Sequence, residues 1–335
     1  MSSIKYDVYY STGGVSNIGG GSDVWVRHWI EEIAPKLNKP FKLLIDRDRL
    51  ESDRDVDIKP IYRNHPDFYN LLDGAEKIHI LHGYYGERKY IILEHKDKIE
   101  SDVMHCSLYK SLRAHKDLGL SWLKHFPADT LWETQMFNIA KKTIWIGLSD
   151  TEYHKDYDII DIPNFYEFKG NGKAVESNTV GFCSRMETRK APHFLENIPS
   201  YFFTRVDHFQ EWKEKLGLKF SKTKLYQYRW ERLESFLQRE DWGISHSAHI
   251  YEPFGYSIFQ AVDYGKLPIL SEDWLPEIAY PFRASTKEKF EEVYKEVCDI
   301  QVAGRQALLQ HLKSHLLKYD NKGDWADKYL EIYNS

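Results

Sequence analysis

The feature that most limits the fold of this chain is an alternation. Short, nearly all-apolar runs are separated by longer amphipathic stretches over most of the 335 residues. Tyr6 to Tyr10, Phe41 to Ile45, Lys77 to Leu81, Thr143 to Ile146 and Asp158 to Ile162 each read as a strand buried on both faces, the signature of a parallel sheet. Between them the spacing is helical, as from Asp23 to Leu37, where Val24, Trp25, His28, Trp29, Glu32 and Ile33 recur along one stretch. Strand alternating with helix predicts an α/β doubly wound fold.

The pattern breaks once. After Asn164 the stretch FYEFKGNGKAVESN is polar, carries two glycines and lacks periodicity, so it reads as an interdomain linker. The alternation then restarts with strands at Thr179 to Cys183, Tyr201 to Thr204, Trp242 to Ser245 and Leu267 to Leu270. It closes with helices at Ala303 to Leu317 and Asp324 to Tyr333. A chain of this length suits two domains of about 150 residues each. Two Rossmann-like domains place ligands at the carboxyl ends of two sheets, in a cleft between them.

Composition narrows the partners. The 51 acidic and 46 basic residues leave a formal charge of -5, which counts against a chain that wraps a polyanion, though not against a local basic groove. Cys106, Cys183 and Cys298 are odd in number and far apart, with no CxxC, which argues against a disulfide framework or a structural zinc site and favours a reducing compartment. The N-terminus lacks a basic segment followed by an apolar one, and no run reaches the length of a membrane span. A soluble, cytoplasmic protein is expected. Aromatic residues make up 15% of the chain, which suits either stacking surfaces or an aromatic core.

Three segments carry candidate chemistry. In SNIGGGSDVWVRHW, Gly19, Gly20 and Gly21 precede a helix with Ser22 as its expected N-cap, and free N–H groups there suit a phosphate. The segment is not GxGxxG, and no acidic residue sits where a dinucleotide ribose would need one. A flexible loop without a phosphate is the alternative. In VGFCSRMETRKAPHF, Arg185 and Lys190 follow a strand and can converge on one diphosphate, the first as a planar fork and the second as a point charge. On charge and spacing alone the pair also fits a solvated basic turn that Arg189 would share. In HSAHIYEPFGYSIFQAVDYG, Glu252 precedes Phe254, Gly255 and Tyr256, and Gln260 lies two turns along the helix that follows. A carboxylate at that helix start can accept sugar hydroxyls, while a helix with a Gly stop at Gly265 is the plainer reading.

Taken in order, these segments resemble the retaining nucleotide-sugar glycosyltransferases of the two-Rossmann (GT-B) fold, family 4 type. The resemblance rests on Gly19-Gly20-Gly21, the Pro163-Asn164 turn, Gly181 with Arg185 and Lys190, and Glu252-x-Phe254-Gly255 with Gln260 where a second Glu is usual. It extends to the last helix, GDWADKYLEIYNS. It implies an acceptor-side domain over 1–166, a nucleotide-sugar-binding domain over 167–318, and a segment 319–335 returning to the first domain. It further implies that Arg185 and Lys190 hold the diphosphate and that Glu252 binds the transferred sugar. Gly20, Gly21, Ser22, Tyr228, Phe254, Gly255, Tyr256 and Gln260 would complete the donor site. A His at the end of a first-domain strand would contact the sugar, and both His105 and His82 fit, His105 the better by order. No metal and no permanent cofactor are implied: the nucleotide-diphosphate sugar, a UDP-sugar by expectation, is a co-substrate.

Around His105, Ser111-Leu112-Arg113, Leu118-Gly119-Leu120 and Ser149-Asp150 the first domain also resembles the phage DNA α-glucosyltransferases, with Cys106 where that group has Asp. This implies double-stranded DNA with hydroxymethylated bases as acceptor. A glycan, lipid or small molecule is the alternative acceptor, and a non-catalytic or redox nucleotide-binding protein the alternative class. The basic, aromatic stretch from Lys213 to Arg232 suits base stacking or, equally, a helix face lining a nucleotide pocket.

Overall fold

Among the described residues, every paired strand runs parallel to its neighbour. The computed structural model describes residues 5–15, 21–51, 53, 55–82, 93–105, 135–215, 217–249 and 252–335. The chain divides into two units. One comprises Met1–Asn164 and Lys322–Ser335; the other is the uninterrupted stretch Phe165–Asn321.

The first unit is built on β1 (Asp7–Ser11), β2 (Phe41–Ile45), β3 (Ile61–Tyr62), β4 (Ile78–His82), β5 (Ile99–Met104), β6 (Lys142–Trp145) and β7 (Ile159–Asp161). Their order across the sheet is β3-β2-β1-β4-β5-β6-β7. β1 is buried along its whole length, from its apolar centre Val8-Tyr9-Tyr10 to the polar Asp7 and Ser11 at its ends. The chain reverses direction across the sheet between β1 and β4, and α1 (Gly21–His28) leaves the loop after β1. The helix then widens into a π-helical turn, Trp29–Ile33, whose Trp29, Ile30 and Ile33 are buried. The last helix, Lys322–Tyr333, belongs to this unit: Trp325 and Tyr329 meet Trp25 edge-on, and Tyr333 meets Tyr9 and His79.

The second unit carries β8 (Val180–Phe182), β9 (Ser200–Thr204), β10 (Thr223–Gln227), β11 (Ile244–Ser247) and β12 (Leu267–Leu270), ordered β10-β9-β8-β11-β12. β10 lies within the basic stretch Lys213 to Arg232. That stretch is therefore not one helix face: it is the end of a helix (Val206–Lys215), an edge strand, and the start of another helix (Trp230–Leu237). Gly181 on β8 lies against the Trp242 ring so closely that a Cβ would overlap it. This glycine has a packing reason as well as a motif reason.

The segment after Asn164 is tied down rather than slack. The buried Asp263 carboxylate accepts the Tyr166 hydroxyl at 3.2 Å and the Lys169 N–H at 2.8 Å. Arg305, also buried, donates to the carbonyls of Val175, Glu176 and Ser177 and to the Asn178 side chain.

Candidate functional site

In the second unit the strand order reverses between β8 and β11. In open α/β sheets such a switch point is where loops on opposite sides diverge and leave room for a ligand. The loop after β8 carries Arg185 and Lys190, and the loop after β11 carries His249 and Glu252, so both segments singled out in the sequence arrive at this one point.

Lys190 ends a 3-10 turn (Thr188–Lys190), and the next residue, Ala191, is in the left-handed region at φ 47°. An L-residue with a Cβ adopts that conformation at a cost of about 1 kcal/mol or more. The buried His246 ring of β11 supports it: its Nε2–H donates to the Ala191 carbonyl at 2.8 Å, and its Nδ1 accepts the Ala248 N–H at 3.3 Å. Reversed in this way, the chain buries the Lys190 side chain, whose ammonium pairs directly with Glu252. His249 Nδ1 lies 3.3 Å from the same Glu252 oxygen and 3.4 Å from the Lys190 nitrogen.

Glu252 is placed from the other side by Gly255, at φ 88°, which starts α2 (Tyr256–Asp263). A Cβ on Gly255 would press on Ile258, on Glu252 Cγ and on the Trp274 indole. That indole N–H donates to the Phe254 carbonyl at 3.2 Å. Arg283 in turn fixes the Trp274 loop by donating to the carbonyls of Ser271, Trp274, Leu275 and Ile278.

The electrostatics follow from this enclosure. Burial pushes the Glu252 carboxyl up, but the Lys190 ammonium and the His249 hydrogen bond outweigh it and hold the group well below its ordinary value. Burial pulls Lys190 down against the pull of Glu252. Burial, with the Lys190 charge beside it, takes His249 down to about 4, so the imidazole is neutral near pH 7. Glu187 is also raised by burial but lowered more by Arg189 and Arg185, to about 2. Its carboxylate lies 2.8 Å from Arg189 and 3.8 Å from Arg185. Three cations (Arg185, Arg189, Lys190) against two carboxylates (Glu187, Glu252) leave one net positive charge, suited to an anion.

The other expected donor residues are distributed as follows. Arg185 is exposed and does not join Lys190 and Glu252; its guanidinium reaches only toward Glu187. Phe254 gives its ring to the core, stacked on Phe259 at 4.6 Å. Tyr256 packs 4.8 Å from Phe254 and is half-buried, as is Gln260 on the same helix. Tyr228 follows the last residue of β10 and tilts against Phe203. His249 and Glu187 were not legible as site residues. The only signal was a His three positions before Glu252 and a Glu inside the basic run.

In the first unit the two alternative histidines come together. His82 ends β4 and His105 directly follows its neighbour β5, with ring centroids 4.8 Å apart. His105 Nε2–H donates to the Leu81 carbonyl at 2.8 Å, and burial lowers the ring to about 4. His82 Nδ1 lies 3.1 Å from the Thr12 hydroxyl. Gly21 and Ser22 are the first residues of α1, so Ser22 stands inside the first turn rather than before it. Asp23, in that turn, accepts the Gly14 N–H at 2.8 Å and already places a negative group at the helix start. Gly19, Gly20, Cys106, Ser111-Leu112-Arg113 and Leu118-Gly119-Leu120 lie outside the described residues.

Asp150, His154 and Asp161 cluster closely enough to suggest a metal site. However, His154 Nδ1 accepts the Thr151 N–H at 2.9 Å, so its proton is on Nε2, directed at Asp161 at 3.1 Å. Neither nitrogen offers a lone pair, and the imidazole acts as a helix cap.

No protein-family model and no curated protein matches the sequence. Solved structures do match. An alpha-glucosyltransferase in complex with UDP-glucose and DNA containing an abasic site superposes with TM-score 0.61 at 11% identity, over 99% of this chain and 100% of that one. An alpha,alpha-trehalose-phosphate synthase (UDP-forming) from Burkholderia vietnamiensis gives 0.62 at 10% identity, over 98% and 97%. S. aureus TarM, in complex with UDP, gives 0.55 at 15% identity over 77% of this chain, which spans about half of TarM (55%). Two parallel sheets with flanking helices are shared with these GT-B glycosyltransferases, and the fold is of that class.

Proposed function

We propose that this chain is a glycosyltransferase that takes its sugar from a nucleotide-diphosphate donor, a UDP-sugar. The observation that carries this reading is the Lys190–Glu252 pair at the switch point between β8 and β11, framed by Arg189 and His249. Lys190 and Arg185 engage the diphosphate, and Glu252 accepts hydroxyls of the sugar. Gln260, an amide where a carboxylate is usual, meets the ribose with neutral hydrogen bonds. As the bond from the anomeric carbon to the diphosphate oxygen breaks, negative charge grows on that oxygen, where fixed cations stabilise it most. The acceptor oxygen bonds to the same face of the anomeric carbon and its proton passes to the departing diphosphate, so configuration is retained and no protein nucleophile is required. Positive charge for the leaving group comes from side chains, so the reaction needs no metal.

For the acceptor we favour a hydroxymethylated base of double-stranded DNA. End-to-end similarity to the DNA-bound alpha-glucosyltransferase supports it. A sugar phosphate or glycan is the second reading, favoured by the formal charge of -5 and by equal similarity to the trehalose-phosphate synthase.

Thermal shift with UDP-, GDP- and ADP-sugars tests the donor. If none raises the melting temperature, the glycosyltransferase reading fails. Incubation of labelled UDP-glucose with hydroxymethylated DNA, unmodified DNA and glucose-6-phosphate then separates the acceptors.

A further inference from the structure

Lys190, Glu252 and His249 form a closed triangle in which one carboxylate serves two neighbours. The Glu252 carboxylate occupies the ammonium that an incoming diphosphate needs. We propose that His249 is a positioning residue of this site, holding the Glu252 carboxylate in place when a diphosphate draws the Lys190 ammonium away. The inference rests on the nucleotide-sugar reading of the site.

The protonation of His249 supports this role. A neutral imidazole carries one N–H. His249 Nε2 is buried and has no hydrogen-bond partner among the described residues, whereas Nδ1 faces Glu252 at 3.3 Å. A proton on Nε2 would be a buried donor with nothing to donate to, and a proton on Nδ1 is accepted by a carboxylate. The ring therefore carries its proton on Nδ1 and directs it at Glu252. The contrast with His246, three residues earlier, is direct: both of its nitrogens are committed to backbone groups, at Ala191 and Ala248. His246 supports the loop, and His249 has a hydrogen bond to give to the site.

Without that N–H, Glu252 has the Lys190 ammonium as its one charged partner in the triangle. A buried carboxylate that loses its only partner is costly, so the lysine stays with it and the diphosphate competes with an internal anion. With the N–H present, Glu252 keeps a charge-assisted hydrogen bond while Lys190 turns to phosphate. His249 thus lowers the barrier to exchanging one anion for another on the same lysine.

The test is the affinity for UDP, by calorimetry, of five folded proteins: the parent, two single variants at His249, Glu252→Gln, and Glu252→Gln combined with His249→Gln. An asparagine amide places an N–H where Nδ1 stands, and a glutamine amide places one where Nε2 stands. His249→Asn is expected to bind UDP like the parent protein, and His249→Gln about tenfold or more weakly. In a Glu252→Gln background no carboxylate competes, and adding His249→Gln is expected to change nothing further. Equal affinities for the Asn and Gln variants overturn the proposal, as does a loss that persists with Glu252→Gln. If the parent protein itself does not bind UDP, the donor reading fails, and this inference with it.

Discussion

The ammonium of Lys190 and the carboxylate of Glu252 meet across the point where the second sheet reverses its strand order, each brought there by a different loop. Because both side chains are largely buried, removing one leaves an uncompensated charge, at a cost of about 3 to 5 kcal/mol. Lys190→Met should therefore destabilise the second unit strongly, and Lys190→Met with Glu252→Gln should recover much of the loss. Chemical denaturation of the two variants checks this. Both should lose sugar transfer by about a hundredfold or more, since fixed charge at the leaving group is worth that much.

Gly255 at φ 88° allows Glu252 to fold back over the turn. Gly255→Ala imposes strain of about 1 to 3 kcal/mol and presses on Glu252 Cγ. On the proposed assignment of Glu252 to the sugar, transfer should fall by more than tenfold while UDP binds nearly as before. Equal losses of UDP affinity and turnover would refute the assignment of Glu252 to the sugar.

The buried histidines set an acid limit. His249 and His105 are lowered to about 4, and His246 to about 3, from an ordinary 6.5. Between these values and 6.5 the unfolded chain binds more protons than the folded one, so stability rises with pH. It should decline steadily as pH falls below 6.5. A melting curve series from pH 4 to 8 checks the slope, and His249→Asn should flatten it without altering the plateau above pH 7.

Arg305 gathers the carbonyls of Val175, Glu176 and Ser177 with that of Val297. Arg305→Met leaves these buried acceptors unpaired and should cost about 3 kcal/mol. Tenfold or greater loss of UDP affinity at a temperature where the variant is fully folded would show that the clip acts on the site as well as on the fold.

On the proposed mechanism, in which Arg185, Arg189 and Lys190 supply the positive charge, transfer should survive excess EDTA. A rate restored only by added magnesium would refute the metal-independent mechanism.

A strand buried on both faces was legible because apolar residues suit it: β12 falls at the residues expected, and so does β2, whose Leu43 to Ile45 are buried although Lys42 is exposed. β10 was not, because an edge strand with Lys224 and Gln227 outward looks like any polar stretch. The linker after Asn164 looked loose because its partners, Asp263 and Arg305, are about a hundred residues away. In the site, the order of motifs located Lys190 and Glu252 but could not reveal their pairing. Ala191 was invisible for a physical reason: alanine gives no sign that a fold will hold it left-handed. His249 was hidden because its meaning depends on which ring nitrogen lacks a partner.

The last helix adds a consequence for synthesis. The ribosome delivers residues 165–321 as one unbroken piece, whereas the first unit waits for Lys322–Ser335. Until then Trp25, Tyr9 and His79 lack the rings of Trp325, Tyr329 and Tyr333 that cover them. Domains generally fold in the order they emerge, but here the one that begins first is completed last. A nascent chain can hold a finished Lys190–Glu252 pair while its opening sheet is still uncovered. Chaperone contact during translation is therefore expected at the start of the chain, where the aromatic seat for the final helix stands exposed.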